Sequence, residues 1–468
     1  MTRMRDGDLT KGPITRRLLL FALPLLLGSL VQQLYNTVDL IFAGNLLGTQ
    51  ASAAIGASSL LITCLVGFFG GMSIGSGVII AQVFGAHDNE RLSRALHNNV
   101  ALSIAGGAIL MTAGLLLAPW FLEAIGTPAE IVADGVLYLR VYSVSLFPVI
   151  AYNLGAGALR ALGDSKNPLY AQIAGGLANV ALDYLLLAGL NMGIAGIALA
   201  TLFSQGIAAA YVLWRMTRLD DAYALRARQI AFDVNILRRV LSIGVPAGAQ
   251  SLVITLSNVV AQYFINSLGT YAIAAFAAYF KIELIIYLPI VAFGQAIMTF
   301  AGQNFGAGEY ERIRQGTLRC AVISMAIAGI TSVAALATGW YLFRIFNGDP
   351  AVIEQGQRLI GVTFPFYFTY CILQIFGDSM RGLGKSRTPM VIILTNICVI
   401  RTLLLFAIVP GNPVIESVGI TYPITWALTS ACMLGYYAWH HVRRLGAVSF
   451  APKTYAESYI SGNAGPIK

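Results

Sequence analysis

Apolar residues in this chain run on for twenty positions or more, broken by short clusters of charge, glycine and proline. A run of that length crosses the roughly 30 Å hydrocarbon layer of a bilayer as a helix. Bounding each run by its charges and helix breakers predicts twelve spans, near 18–42, 52–83, 94–119, 131–157, 169–189, 193–215, 238–266, 271–302, 315–342, 352–379, 389–409 and 418–441. The expected fold class is therefore an all-α integral membrane protein.

Comparing the chain with itself shows a repeat at a shift of 221 to 222 residues. Ile14-Thr15-Arg16-Arg17 leading to Pro24 returns as Ile236-Leu237-Arg238-Arg239 leading to Pro246, and Leu47-Gly48-Thr49 returns as Leu268-Gly269-Thr270. Gln82-x-Phe84-Gly85-Ala86 with Glu90-Arg91 returns as Gln303-x-Phe305-Gly306-Ala307 with Glu311-Arg312. Arg160-x-Leu162-Gly163-x-Ser165 returns as Arg381-x-Leu383-Gly384-x-Ser386, each followed three residues later by proline. Each half holds six spans, an even number, so the halves share one orientation. Two six-helix lobes related by a pseudo-two-fold axis along the membrane normal follow as the expectation, the arrangement suited to alternating access. The lobes are expected at 1–217 and 238–445, joined by a linker loop at 218–237 and followed by a tail at 446–468.

The 468 residues are 57% apolar and 11% charged, with mean hydropathy +0.73. A soluble domain carries about 25% charged residues, so an ordinary soluble enzyme is excluded. The formal charge of +9 invites a nucleic-acid reading until the basic residues are placed. Of 30, the termini, inward loops and adjoining span ends hold 25, the outward loops hold only Arg344, and Arg140, Lys281, Arg358 and Arg401 lie within spans. That asymmetry is the positive-inside pattern, and with an even span count it predicts both termini in the cytoplasm of a cell-membrane protein. Five cysteines, all within spans and without C-x-x-C spacing, read as small packing residues. No histidine forms a metal-ligand pair, so no cofactor is expected.

An ionisable group in the hydrocarbon layer costs at least about 2.5 kcal/mol and is a functional candidate by default. Gln32, Tyr35, Asn36 and Asp39 fall at i, i+3, i+4 and i+7 on the first span, one polar stripe on an apolar helix. Asn179 and Asp183 are one turn apart on the fifth span, and Thr201 and Gln205 one turn apart on the sixth. If the stripes converge, two carboxylates, an amide and a hydroxyl form an all-oxygen site, suited to H⁺ or to a hard cation such as Na⁺. The glycines Gly67, Gly70, Gly71, Gly75 and Gly77 on the second span read as a helix-packing device.

The repeated blocks, with Gly157-x-x-Arg160-x-Leu162-Gly163-Asp164, Asn179-Val180-Ala181-Leu182-Asp183 and Gly193-Ile194-Ala195-Gly196, resemble the multidrug and toxic compound extrusion (MATE) family over nearly the whole chain. The resemblance implies twelve helices in two lobes about a V-shaped opening, with a proton or sodium gradient driving export of amphipathic organic cations by a monomer. Asp39, Asn179, Asp183 and Thr201 are similar to the positions implicated in cation coupling in the family's DinF-like branch. Pro24 matches that branch's first-helix proline, where a missing backbone hydrogen bond leaves a hinge. The NorM-like branch places a sodium site on acids of the seventh and tenth helices. Here the seventh span offers Gln250, Ile254 and Asn258 and no carboxylate.

The second half instead carries Lys281, Glu283 and Arg401, expected as an ion-pair cluster or as a charge filter in a substrate cavity shared with Gln32, Tyr35, Asn36 and Gln205. A lipid-linked precursor flippase is the nearest alternative, but would favour an arginine-rich cleft. An intramembrane aspartyl protease built on Asp39 and Asp183 is remote, because the residues before each acid depart from that class's pattern. With no nucleotide-binding loop, transport is expected to be secondary antiport.

Overall fold

The computed structural model describes residues 7–440, apart from the side chains of Thr49, Leu60 and His440; the tail expected at 446–468 lies outside the described residues. No strand forms among them. The helices are α1 (Ile14–Phe42, running on to Leu47 as a π turn), α2 (Gly48–Gly85), α3 (Asn89–Ala124), α4 (Ala129–Ala161), α5 (Lys166–Asp183, running on to Gly189 as a π turn) and α6 (Gly193–Thr217). The second half supplies α7 (Val234–Ser267), α8 (Thr270–Gly306), α9 (Tyr310–Phe346), α10 (Pro350–Gly382, with a 3-10 turn at Phe364–Phe366), α11 (Arg387–Ile408, with a π turn at Leu394–Ile400) and α12 (Thr421–His440).

Eleven of these are long and apolar enough to cross a membrane. The twelfth, α12, dilutes its apolar surface with Thr421, Thr425 and Thr429, a buried stripe at i, i+4 and i+8. The hydroxyls of Thr425 and Thr429 each donate one turn back, to Thr421 and Thr425 carbonyls at 2.8 and 2.6 Å. Their polarity is thus absorbed within the helix. Large apolar side chains lie exposed along α1, α3, α5 and α9, among them Leu34, Leu116, Leu177 and Ile330. Outward apolar surface on this scale suits lipid contact.

The helix ends explain why the repeat survives in those particular blocks. Gly163 and Gly384 adopt φ of +83° and +79°, a left-handed region that favours glycine. Each follows its helix and donates to the carbonyl three residues back, Arg160 or Arg381, at 2.8 Å. Gly48 and Gly269 are likewise left-handed between the first two helices of each half. Ala86 donates to Gln82 O at 3.0 Å, and Ala307 donates to Gln303 O at 3.0 Å. The repeated motifs are, in large part, the same turns built twice.

The chain divides into two compact units. One holds Gly7, Asp8 and Leu23–Gly248, and the other joins Leu9–Ala22 to the described residues from Ala249 onward. The divisions fall between Asp8 and Leu9 and inside α1 and α7, while the loop at 218–237 belongs wholly to the first unit. In that unit α4 packs against α2, α3 and α6, and α5 against α6. A Cβ on Gly71 of α2 would meet Gly248 N at 2.1 Å, and one on Gly75 would meet Val240 O at 2.5 Å. Two Gly-x-x-x-Gly stripes, Gly71/Gly75 and Gly244/Gly248, therefore meet with backbone against backbone, as the sequence led one to expect for the second span. In the second unit α8, α9 and α10 pack together and α10 packs on α12.

Candidate functional site

Within the first unit the three polar stripes do converge. Tyr35 is buried, and its hydroxyl accepts hydrogen bonds from Gln172 Nε2 of α5 at 3.2 Å and Gln205 Nε2 of α6 at 3.4 Å. Close approach of α1 and α5 depends on Gly176, where a Cβ would lie 3.2 Å from the Tyr35 ring. One turn beyond Tyr35, the carboxyl of Asp39 has the carboxyl of Asp183 as its ionisable neighbour. Asn179 and Asp183 are almost wholly buried.

The arrangement leaves polar atoms without protein partners. Asp39 Oδ1, both carboxyl oxygens of Asp183 and both polar atoms of the Asn179 amide are buried with no hydrogen-bond partner. No lysine or arginine among the described residues forms an ion pair with either acid. A buried polar group left unmade costs about 1–3 kcal/mol, so an orphaned cluster of this kind calls for something that supplies positive charge. The donor set is oxygen only, apart from the Asn179 nitrogen, and fits a proton shared by the acids or a hard monovalent cation.

Local helix geometry supports the placement. Asp183 is the last α-helical residue before the π turn Tyr184–Gly189, a wide turn often found at functional sites. Beyond it a core cluster of Ala43, Ala51, Ala54, Ile55, Tyr138, Leu187, Ile194, Ile197 and Ala198 packs together. Tyr138 and Tyr142, one turn apart on α4, lie within electrostatic reach of Asp39. Sequence reasoning missed these two tyrosines and Gln172. Gln172 could have been found, since Gln172, Asn179 and Asp183 share one face at i, i+7 and i+11. The tyrosines offered no such signal.

Other expected site residues stand apart. Thr201 is half-buried and its hydroxyl donates to Ile197 O of its own helix at 3.1 Å, not to a carboxylate. Gln32 and Asn36 are exposed on α1. In the second unit Lys281 is exposed, whereas Glu283, two residues on, accepts a hydrogen bond from the Tyr367 hydroxyl. Arg401 is 2% exposed, with Thr425 Oγ1 at 3.1 Å from Nη2 and its guanidinium 4.1 Å from the Tyr422 ring centroid. Arg401 is the cation within electrostatic reach of Glu283, so the expected three-residue cluster reduces to two.

A second polar group in this unit was not foreseen. Asp378 and Arg381 form a salt bridge at 5% and 7% side-chain exposure. Gln374 Nε2 donates to Asp378 Oδ2 at 2.6 Å, and Arg381 Nη2 donates to Gln250 Oε1 at 2.9 Å. Gly294 makes room, since a Cβ there would lie 2.2 Å from Asp378 Oδ2. At the matching repeat positions the first unit has Gly157 facing Ser73, whose Oγ would lie 2.4 Å from a Cβ on Gly157. The small residue and the polar one have exchanged sides between the two units. Gln250, one of the three seventh-span residues named above, is the acceptor for Arg381.

The MatE family profile matches residues 24–185 and again residues 246–407, one copy in each half. The chain belongs to the MatE family. Among similar proteins is the probable multidrug resistance protein YpnP of Bacillus subtilis, 28% identical over 408 residues, covering 85% of this chain and 89% of YpnP. The multidrug export protein MepA of Staphylococcus aureus is 22% identical over 388 residues, covering 82% of this chain and 86% of MepA. A MATE protein solved in the straight conformation shares the fold with a TM-score of 0.86 at 20% identity, over 94% of this chain and 98% of that one. The two MatE copies begin at Pro24 and at Pro246, the repeat-related prolines of α1 and α7. This MatE protein is thus a multi-pass membrane transporter, and the aspartyl-protease reading of Asp39 and Asp183 falls with that membership.

Proposed function

We propose that this MatE protein exports amphipathic organic cations in exchange for H⁺ or Na⁺, with Asp39, Asp183 and Asn179 as the ion-coupling site and Thr201 joining it only if its hydroxyl leaves the Ile197 carbonyl. The reading rests on one observation: the buried Asp183 carboxyl and the half-buried Asp39 carboxyl are neighbours with three buried oxygens unsatisfied and, among the described residues, no lysine or arginine paired to either. The names of YpnP and MepA support multidrug export as the activity. Loading of the pair would redirect Asp39, and with it Tyr35, which ties α1 to α5 and α6. Pro24 lies fifteen residues before Asp39 on the same continuous helix and is the point at which α1 would yield. Gln32 and Asn36 on the exposed side of α1, and Gln205, would contact the substrate. In the second unit Glu283, held by Tyr367 and within electrostatic reach of Arg401, would select for substrate charge. Lys281 would act at most as an outer charge.

Export against a gradient requires that ion and substrate weaken each other's binding, and that coupling is reciprocal. The test uses purified protein in proteoliposomes with ethidium as probe and a proton or a sodium gradient imposed separately. One gradient is expected to drive accumulation, and Asp39→Asn is expected to abolish it while ethidium binding and expression persist. Gradient-driven accumulation by Asp39→Asn at the wild-type rate would overturn the assignment.

A further inference from the structure

The repeated Gln-x-Phe-Gly-Ala motif has a task in the second unit beyond making a turn. Leu9, just ahead of α1, is buried, and both of its backbone groups are held by side chains of this block. Its N–H donates to Gln303 Oε1 at 2.9 Å. Its carbonyl accepts from Asn304 Nδ2 at 3.3 Å and from Arg312 Nη2 at 3.2 Å. Arg312 Nη2 also reaches Gly12 O at 2.9 Å, and its guanidinium lies 5.5 Å from the Phe300 ring centroid. Gly12 turns the chain into α1 with φ of +83°. A planar cation bridging two carbonyls over an aromatic face is a rigid attachment, because the fork is pre-organised and the ring holds it flat.

What is attached gives the contact its consequence. Leu9–Ala22 belongs to the second unit and Leu23 onward to the first, so α1 is shared, and the change of allegiance falls one residue before Pro24. The same exchange occurs at α7, whose change falls at Gly248, two residues after Pro246. There the leading segment is held by other means. His97 Nε2 accepts from Arg226 N at 3.0 Å, Asn98 Oδ1 accepts from Asp233 N at 3.1 Å, and Arg94 lies 3.9 Å from Asp233. Arg91, the repeat counterpart of Arg312, pairs locally with Asp88 at 3.3 Å. A clamp of each leading segment has therefore been kept while its residues have changed.

We infer that Gln303, Asn304 and Arg312 clamp the start of α1, and that Arg312 is a positioning residue for coupled transport. A helix that bends at Pro24 does work only if the portion before the bend is fixed. With the clamp intact, a change at Asp39 must be taken up at Pro24; with it released, the leading segment slides and the change is lost. The inference rests on the proposal that ion loading at Asp39 acts through α1.

The decisive experiment compares Arg312→Ala, Arg312→Lys and Arg314→Ala with the wild type in proteoliposomes, using ethidium binding, ethidium accumulation and ions moved per ethidium. Arg314 pairs with Glu311 on the same exposed turn and serves as the control. Arg312→Ala is expected to bind ethidium within about twofold of wild type yet accumulate about tenfold less, with more ions spent per ethidium. Arg312→Lys, which loses the fork, should fall between, and Arg314→Ala should match wild type. If Arg312→Ala does not fold, Asn304→Ala, which removes one of two donors to Leu9 O, is read the same way. An unchanged ion-to-ethidium ratio, whether accumulation is retained or falls only with the folded fraction, would overturn the clamp. Asp39→Asn in the same assay separates the two ideas. Wild-type accumulation by Asp39→Asn removes the ion-site reading, whereas loss there beside an unchanged ratio in Arg312→Ala removes the clamp alone.

Discussion

At the scale of single residues, the first-unit site is held by neutral hydrogen bonds rather than by ion pairs, and Tyr35 is its hub. Gln172 is buried and donates to the Tyr35 hydroxyl, so Tyr35→Phe leaves a buried amide without its acceptor. A loss of about 1–3 kcal/mol is expected, read as a lower unfolding temperature in detergent, and an unchanged temperature would show that another acceptor takes the Gln172 proton. Asp39 was legible in the sequence because a lone acid on an apolar helix stands out whatever it faces. Asp378 was not, because it sits at the margin of the tenth span, where an acid passes for part of a loop. Its partner explains why it can be buried. Removing one member of such a pair costs about 3–5 kcal/mol, while replacing both by well-packed apolar groups is often neutral. Asp378→Ala should accordingly destabilise strongly, and the Asp378→Ala, Arg381→Met double variant should recover much of the loss in the same unfolding measurement. Equal destabilisation by the single and double variants would show that Gln250 and Gln374, not the charge pair, dominate.

The elements carry the mechanical argument. Pro24 has no N–H to offer the Leu20 carbonyl and its ring crowds that group, yet α1 stays helical from Ile14 to Phe42. A weak point that remains helical can bend and recover. Pro24→Ala restores the missing bond and should leave ion and ethidium affinities near wild type while slowing gradient-driven turnover about tenfold or more. Stopped-flow efflux beside equilibrium binding checks it, and wild-type turnover would remove the hinge. The same scale shows why element boundaries were readable and their interiors less so. Asp349 caps α10 with its side chain accepting from Ala351 N at 2.8 Å, a local signal written in adjacent residues. The π turns that follow Asp183 and precede Arg401 have no such signature, since an extra residue per turn is accommodated by whatever the helix packs against.

For the molecule as a whole, the duplication is the organising fact, but the two halves have diverged in chemistry. Positions equivalent to Asp39 and Asp183 are Ala261 and Leu404, and those equivalent to Glu283 and Arg401 are Ile62 and Val180. At these positions each unit is charged where the other is apolar, and under the proposed function ion coupling belongs to the first and charge selection to the second. The distribution of basic residues predicts that both termini and the 218–237 loop face the cytoplasm. Single-cysteine labelling should find positions 43–51, where α1 passes into α2, reactive from outside and positions 85–93, around the turn between α2 and α3, protected until the membrane is opened. The reverse pattern would invert the topology and the direction of transport with it.

The sequence by itself determined the membrane class, the span boundaries to within a few residues, the duplication, and which acids on apolar helices were candidates for coupling. Those features are local or compositional: hydropathy, charge placement and turn chemistry are properties of adjacent residues. Only the tertiary structure decided that Asp39 meets Asp183, that Thr201 turns back on its own helix, that Lys281 stays outside the Glu283 group, and that Asp378 pairs with Arg381. It also showed that the leading segments of α1 and α7 belong to the opposite units. Such facts depend on how helices are rotated and which small residues let them touch, as Gly176 admits Tyr35 and Gly294 admits Asp378. A periodicity gives the face of one helix, and the partner of that face is set only when the helices pack.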